Sequence, residues 1–112
     1  MVNVLSAGNS IVNQFIAELR DSEIQKDSLR FRTNLERLGG IFAYEISRQL
    51  PYDTKEVITP LGIATVPMLV EYPVLATILR AGLPLHHGML NFFDKSENAF
   101  VSAYRKYHKD LL

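Results

Sequence analysis

Apolar residues recur at helical spacing twice in the first half of the chain, then give way to short β-branched runs. Ile11, Phe15, Ile16 and Leu19 fall on one face of a helix predicted over 10–20. Asn9 and Ser10 precede it, and their side-chain oxygens suit the free N–H groups of a first turn. The stretch from Arg20 to Asp27 is charged, mostly alternates in sign, and reads as a solvated connection. A second helix is predicted from Ser28 to about Leu50, with Phe31, Leu35, Leu38, Phe42 and Ile46 forming one apolar stripe. Arg30, Arg32, Glu36, Arg37, Glu45 and Arg48 decorate that helix. Gly39-Gly40 interrupts the stripe at about 1 kcal/mol each relative to alanine. The pair marks either a close approach of another backbone or a helix break. Pro51 ends the helix, because the residue before a proline is pushed out of the α region.

The second half reads as β and α in alternation. Glu56–Thr59 and Ile63–Val66 flank Thr59-Pro60-Leu61-Gly62, with proline at turn position i+1 and glycine at i+3, so a hairpin is predicted. Pro60 and Pro67, taken as strand ends, exclude the centre of a large sheet. Val74-Leu75-Ala76-Thr77-Ile78-Leu79 is continuously apolar and reads as a parallel strand buried on both faces. A helix is predicted from Pro84, at its first position, to Phe93, then a strand over Ala99–Tyr104. Strand, helix and strand at this length make a βαβ unit with a right-handed crossover. The fold class is therefore α/β: a helical segment (1–54), a β-hairpin arm (55–67), and the start of a parallel sheet core (72–112). An apolar hairpin arm of this kind, carrying Ile58, Leu61 and Ile63, points to a homodimer.

Composition narrows the class. The 112 residues carry 12 Lys+Arg against 12 Asp+Glu, which argues against a nucleic-acid binder and a polybasic membrane-surface protein. Helix, helix and hairpin resemble a winged-helix DNA binder in order only, since no basic stripe is present. There is no cysteine, which excludes a disulfide scaffold, a thiolate nucleophile and a cysteine-containing zinc site. No apolar run approaches the roughly 18 residues of a bilayer span, and residues 1–10 lack a signal-peptide pattern. A cytoplasmic protein is expected.

Candidate chemistry centres on Leu79-Arg80-Ala81-Gly82. An arginine directly at the carboxyl end of a parallel strand, followed by small residues and a helix start, forms an anion cradle. The other reading of Arg80 is a strand-capping arginine paired with a surface carboxylate. Arg105 ends the next predicted strand. Two guanidinium groups on one sheet edge would suit a pyrophosphate through forked hydrogen bonds; alternatively, Arg105 simply stands in solvent. His86 and His87 are adjacent on a helix and point about 100° apart, so they cannot chelate one ion together, and His108 is isolated. No metal site is expected. No Gly-x-Ser-x-Gly, Walker A or Gly-x-Gly-x-x-Gly pattern occurs.

Ala76-Thr77-Ile78-Leu79-Arg80-Ala81-Gly82-Leu83, with Gly88 beyond it, resembles the pyrophosphate-binding loop region of uracil phosphoribosyltransferases. Phe31-Arg32-x-x-Leu35-x-x-x-Gly39-x-x-x-x-Tyr44-Glu45 is similar to that family's long N-terminal helix, and 57–67 to its dimerising β arm. Tyr104-Arg105 falls where the family has its second phosphate-binding arginine. The resemblance implies a partial type I phosphoribosyltransferase fold. The implied reaction is uracil plus 5-phosphoribosyl-1-pyrophosphate giving UMP and pyrophosphate, with Mg2+ on the diphosphate. It assigns Arg80, Ala81, Gly82 and Arg105 to the phosphoribosyl pyrophosphate, and implies that this loop can hold a non-proline cis peptide. The chain departs from the pattern at Pro84, at His87 and at Lys106-Tyr107. It also lacks the family's later Asp-Pro-Met-Leu-Ala-Thr-Gly motif and its uracil-reading loop. The resemblance thus marks these residues as an N-terminal half, incomplete for catalysis alone. The alternative is a non-catalytic dimerising remnant that binds anions.

Overall fold

The computed structural model describes residues 2–103. Its elements are α1 (Ile11–Arg20), α2 (Ser28–Ser47), β1 (Tyr52–Thr59), β2 (Gly62–Leu69), β3 (Leu75–Leu79), α3 (Leu83–Leu90) and β4 (Asn98–Ser102). Short 3-10 turns precede the first two helices at Leu5–Ala7 and Ile24–Lys26. Both long helices start on side-chain caps. Ser10 Oγ accepts from the Val12 amide at 3.2 Å, and Asp27 Oδ1 accepts from the Arg30 amide at 3.1 Å. Helix α2 ends at Ser47, three residues before Leu50, because Tyr52 Oη donates to the Ser47 carbonyl at 2.8 Å and draws the chain into β1.

The apolar stripes are narrower than their periodicity implies. Ile11 is exposed and Val12 takes its place in the core of α1; on α2, Phe31 and Ile46 lie at the surface while Leu38 and Ala43 are buried. The reason is a polar staple between the two helices. Glu18, buried on α1, accepts from Arg30 Nε at 2.6 Å, Arg30 Nη2 at 3.0 Å, Asn34 Nδ2 at 3.0 Å and Gln14 Nε2 at 2.8 Å. Asn34 is fully buried and its Oδ1 accepts from Arg37 Nη1 at 3.0 Å. The Arg37 guanidinium sits 5.2 Å over the Phe15 ring, a cation–π contact. Arg30 and Arg37 thus join α1 to α2 and are not surface decoration. Hydrogen bonds from Arg30, Asn34 and Gln14 hold the Glu18 carboxyl at about 2, below its ordinary 4.5.

Helix α2 runs unbroken through Gly39-Gly40, and α3 crosses it there. A Cβ on Gly39 would collide with the Leu85 carbonyl oxygen and lie 3.1 Å from the Gly88 Cα. A Cβ on Gly88 would collide with the Glu36 carbonyl. Glycine on both helices lets the two backbones touch, so the close-approach reading of the pair is the correct one for Gly39. A Cβ on Gly40 would stand at ordinary contact distance, 3.5 Å from the Phe92 ring and 3.8 Å from the Gly88 carbonyl oxygen. Beside this crossing Ala43, Leu75 and Phe93 form the buried cluster, with Leu50, Leu69, Tyr72, Met89 and Leu90 packed against it.

Strands β1 and β2 form an antiparallel ribbon in register from Tyr52↔Leu69 to Thr59↔Gly62, longer at its base than the sequence marks. Pro67 lies inside β2, opposite Thr54, rather than at its end; a two-stranded ribbon has an outer edge where a missing N–H costs nothing. Gly62 has φ 138°, which explains the glycine in the turn. Strands β3 and β4 pair in parallel from Leu75↔Asn98 to Leu79↔Ser102, with α3 between them, so the βαβ reading holds. Three details differ. Helix α3 starts at Leu83, placing Pro84 at its second position, and ends at Leu90 before Phe93. Strand β4 begins at Asn98. Strand β3 is not buried on both faces: Val74 precedes it at 63% exposure and Ile78 is 60% exposed, since β4 is its one strand neighbour among the described residues.

Two outcomes follow from this packing. Gly39→Ala should destabilise the protein by about 1–3 kcal/mol through overpacking. Gly40→Ala, with ordinary contact distances and a helical backbone, should gain up to about 1 kcal/mol; urea denaturation reads both. Because the Glu18 pKa is depressed on folding, its contribution is fully present above the ordinary 4.5 and is lost as pH falls toward about 2. Thermal melts from pH 5 to 2 should therefore show a decline in stability that is shallower in Glu18→Gln.

Candidate functional site

The parallel register brings the carboxyl ends of β3 and β4 to one sheet edge, where Leu79 faces Ser102. At that edge β3 passes into Arg80-Ala81-Gly82 and then directly into α3. The Leu79–Arg80 peptide is cis. The Leu83 amide donates to the Arg80 carbonyl at 3.1 Å, and the Gly82 amide reaches back to the Ile78 carbonyl at 3.1 Å, closing a tight turn. A Cβ on Gly82 would collide with Thr77 Oγ1 and lie 2.9 Å from the Ile78 carbonyl oxygen, so only glycine lets this turn fold onto β3.

Arg80 and Ala81 are exposed at the mouth of the turn, while Gly82 is half-buried beneath them. Among the described residues the ion pairs are Lys26–Glu23, Arg30–Glu18 and Arg48–Glu45, so Arg80 is not held by a carboxylate there. A cationic head at this turn offers its guanidinium donors to one anion; the Gly82 and Leu83 amides are used inside the turn and Pro84 has no N–H. Arg80, Ala81 and Gly82 are thus brought together, as three consecutive residues of one loop. Arg105 lies outside the described residues, as do Tyr104, Lys106-Tyr107 and His108.

Two side chains that sequence reasoning did not connect hold this region. His86, on α3, is buried, and its Nε2 lies 2.8 Å from Oδ1 of Asn98, the first residue of β4. Its ring stands 5.2 Å from that of Phe100, tilted by 44°. His87 is exposed, so the two rings leave the helix on different faces. Thr77 lies under Gly82. The signal for His86 was one of two adjacent histidines between Leu85 and the Gly88-Met89-Leu90 run; its partner is 12 residues away and no local spacing marks it. The two large grooves lie elsewhere. One of about 1000 Å³ runs between Val2–Leu5 and the end of α2; one of about 620 Å³ lies between Phe15, Tyr44 and Phe92.

Known proteins resemble this chain over most of its length. A family model described as uracil phosphoribosyltransferase matches residues 6–110. A curated relative named uracil phosphoribosyltransferase from Porphyromonas gingivalis is 57% identical over 108 residues, which cover 96% of this chain and 50% of the relative. One of the same name from Metallosphaera sedula is 33% identical over 94 residues, 81% of this chain and 43% of that protein. Among solved structures, the AQ2163 protein from Aquifex aeolicus superposes with a TM-score of 0.70 at 25% identity, over 88% of this chain and 46% of that one. The chain spans about half the length of the curated relatives it matches.

Proposed function

The chain belongs to the uracil phosphoribosyltransferase family, and from that premise we propose that it holds the diphosphate end of 5-phosphoribosyl-1-pyrophosphate while uracil displaces pyrophosphate to give UMP. Its helices, ribbon and βαβ unit are part of a phosphoribosyltransferase-type fold. The observation that carries the proposal is the Arg80-Ala81-Gly82 turn at the carboxyl edge of a parallel sheet, opening directly into α3. In the reaction the bond from C1 of the ribose to the diphosphate oxygen breaks as the uracil nitrogen forms the new bond. Negative charge grows on the departing diphosphate. A fixed guanidinium beside it stabilises that charge more in the transition state than in the bound substrate, which is the condition for acceleration.

Magnesium enters this reading as part of the substrate. The loop supplies a cation and backbone groups, and no group of three or more His, Cys, Asp or Glu that could hold a metal occurs among the described residues. Mg2+ bound to the diphosphate oxygens would arrive with the substrate and needs no ligand set on the chain. Arg105 we assign to the same diphosphate by its place in the family pattern. Recognition of uracil and of the ribose 5-phosphate we assign to residues outside these 112. A cytoplasmic setting accords with phosphorylated substrates; no helix of the described residues is long and apolar enough to cross a membrane.

The ribbon fits a homodimer. Ile58, Leu61 and Ile63 at its tip are 88%, 101% and 68% exposed, and the ribbon meets the rest of the molecule at its base, where Leu69 packs against the core and Tyr52 Oη donates to the Ser47 carbonyl. A lone ribbon with an apolar tip is marginal in water and gains by packing on a partner.

In the complete enzyme, Arg80→Ala should cost about 2–4 kcal/mol of transition-state stabilisation, read as a lower kcat/KM for the phosphoribosyl donor. Unchanged kinetics would refute the assignment. Sedimentation at micromolar concentration should show a dimer, and Leu61→Glu should shift it to monomer; a strictly monomeric wild type would remove the dimer from the account.

A further inference from the structure

Helix α3 is tied to the rest of the molecule on three sides, and one tie differs in kind from the others. Toward α2 the contact is backbone against backbone, at Gly39–Leu85 and Gly88–Glu36. Toward β3 it is the close seat of Gly82 on Thr77. Toward β4 it is a side-chain hydrogen bond, His86 to Asn98, and no other side chain of α3 makes a polar bond to a strand among the described residues. Asn98 Nδ2 donates to the Ser96 carbonyl at 3.4 Å and its Oδ1 faces α3, where the Nε2–H tautomer of His86 completes the bond. The same residue is joined to the candidate site through its backbone, since the His86 amide donates to the Gly82 carbonyl at 3.0 Å.

We propose that His86 is a positioning residue for the diphosphate site: its bond to Asn98 fixes where α3 sits along the sheet, and so sets the Arg80-Ala81-Gly82 turn relative to β4. Apolar and glycine contacts resist separation of the elements but tolerate small sliding. A directional bond at 2.8 Å with the ring wedged against Phe100 does not. The consequence for chemistry is geometric. A turn that must aim a guanidinium at one anion beside the edge of β4 loses affinity when its parts shift by a fraction of an ångström. His86 touches no substrate in this reading and acts through Gly82. The proposal rests on the assignment of the turn to diphosphate.

The test is calorimetric titration of the purified protein with magnesium pyrophosphate, well below the melting temperature. Leucine fills the imidazole volume without a donor, so His86→Leu should bind about five- to tenfold more weakly. His86→Gln restores an N–H donor and should recover affinity to within about twofold of wild type. Asn98 is exposed, so Asn98→Ala leaves the core intact; it should lose as much affinity as His86→Leu, and the double variant should lose no more than either alone. Asn98→Ala carries the test if His86→Leu does not fold. Folded variants with lowered melting temperature and wild-type affinity would show a purely structural pair and overturn the proposal. Wild-type protein that binds no pyrophosphate would overturn the diphosphate reading of the turn, and this inference with it.

Discussion

The contact between α2 and α3 at Gly39 and Gly88 is the constraint on which the other parts of the structure depend. Two helices with side chains at these positions would stand further apart, and the Leu85 and Glu36 carbonyls would face a gap instead of a backbone. At contact distance α3 lies low enough for Leu75 and Phe93 to close over Ala43. It also lies at the height from which the His86 ring meets Phe100 and Asn98 on β4. The β3–α3–β4 unit is therefore docked on α2 through backbone, with little side-chain freedom between.

That docking decides what the Arg80 turn is able to do. Gly82 is squeezed between Thr77 below and the first turn of α3 beyond, so the loop is short and its backbone direction is prescribed by its neighbours. Arg80 is left at the surface, three residues before the start of α3 and in no ion pair among the described residues. A loop of the same composition on a longer tether would offer the same groups in many arrangements, and an anion would have to order them on binding. The staple of Glu18, Arg30, Asn34 and Arg37 serves the same end one layer away. It holds α1 on α2 through polar groups that are all satisfied, in a part of the chain with little apolar surface to spare.

Much of this was legible from residue order. The cap at Ser10, the Pro60–Gly62 turn and the helix after Arg80 follow from local rules, and the structure has them within a few residues. The loop itself was visible because strand, arginine, small residues and helix are contiguous. Long-range polar pairing was not. Glu18 and Arg30 are 12 residues apart, and each reads alone as a solvated charge; Asn34 is the largest fully buried side chain of its helix. His86 and Asn98 were missed for the same reason. Periodicity also mistook Val74–Leu79 for a strand covered on both faces, because an apolar run records what a strand can bury and not whether its neighbours lie within the residues at hand.

The central claim is that the turn after β3 seats a diphosphate. The most direct measurement is a crystal structure of the complete protein with magnesium pyrophosphate bound. The expected result is the diphosphate at the carboxyl edge of β3 and β4, within hydrogen-bond distance of the Arg80 guanidinium. A diphosphate seated elsewhere, in either groove beside α2 or against another face, with Arg80 left in solvent, would contradict it.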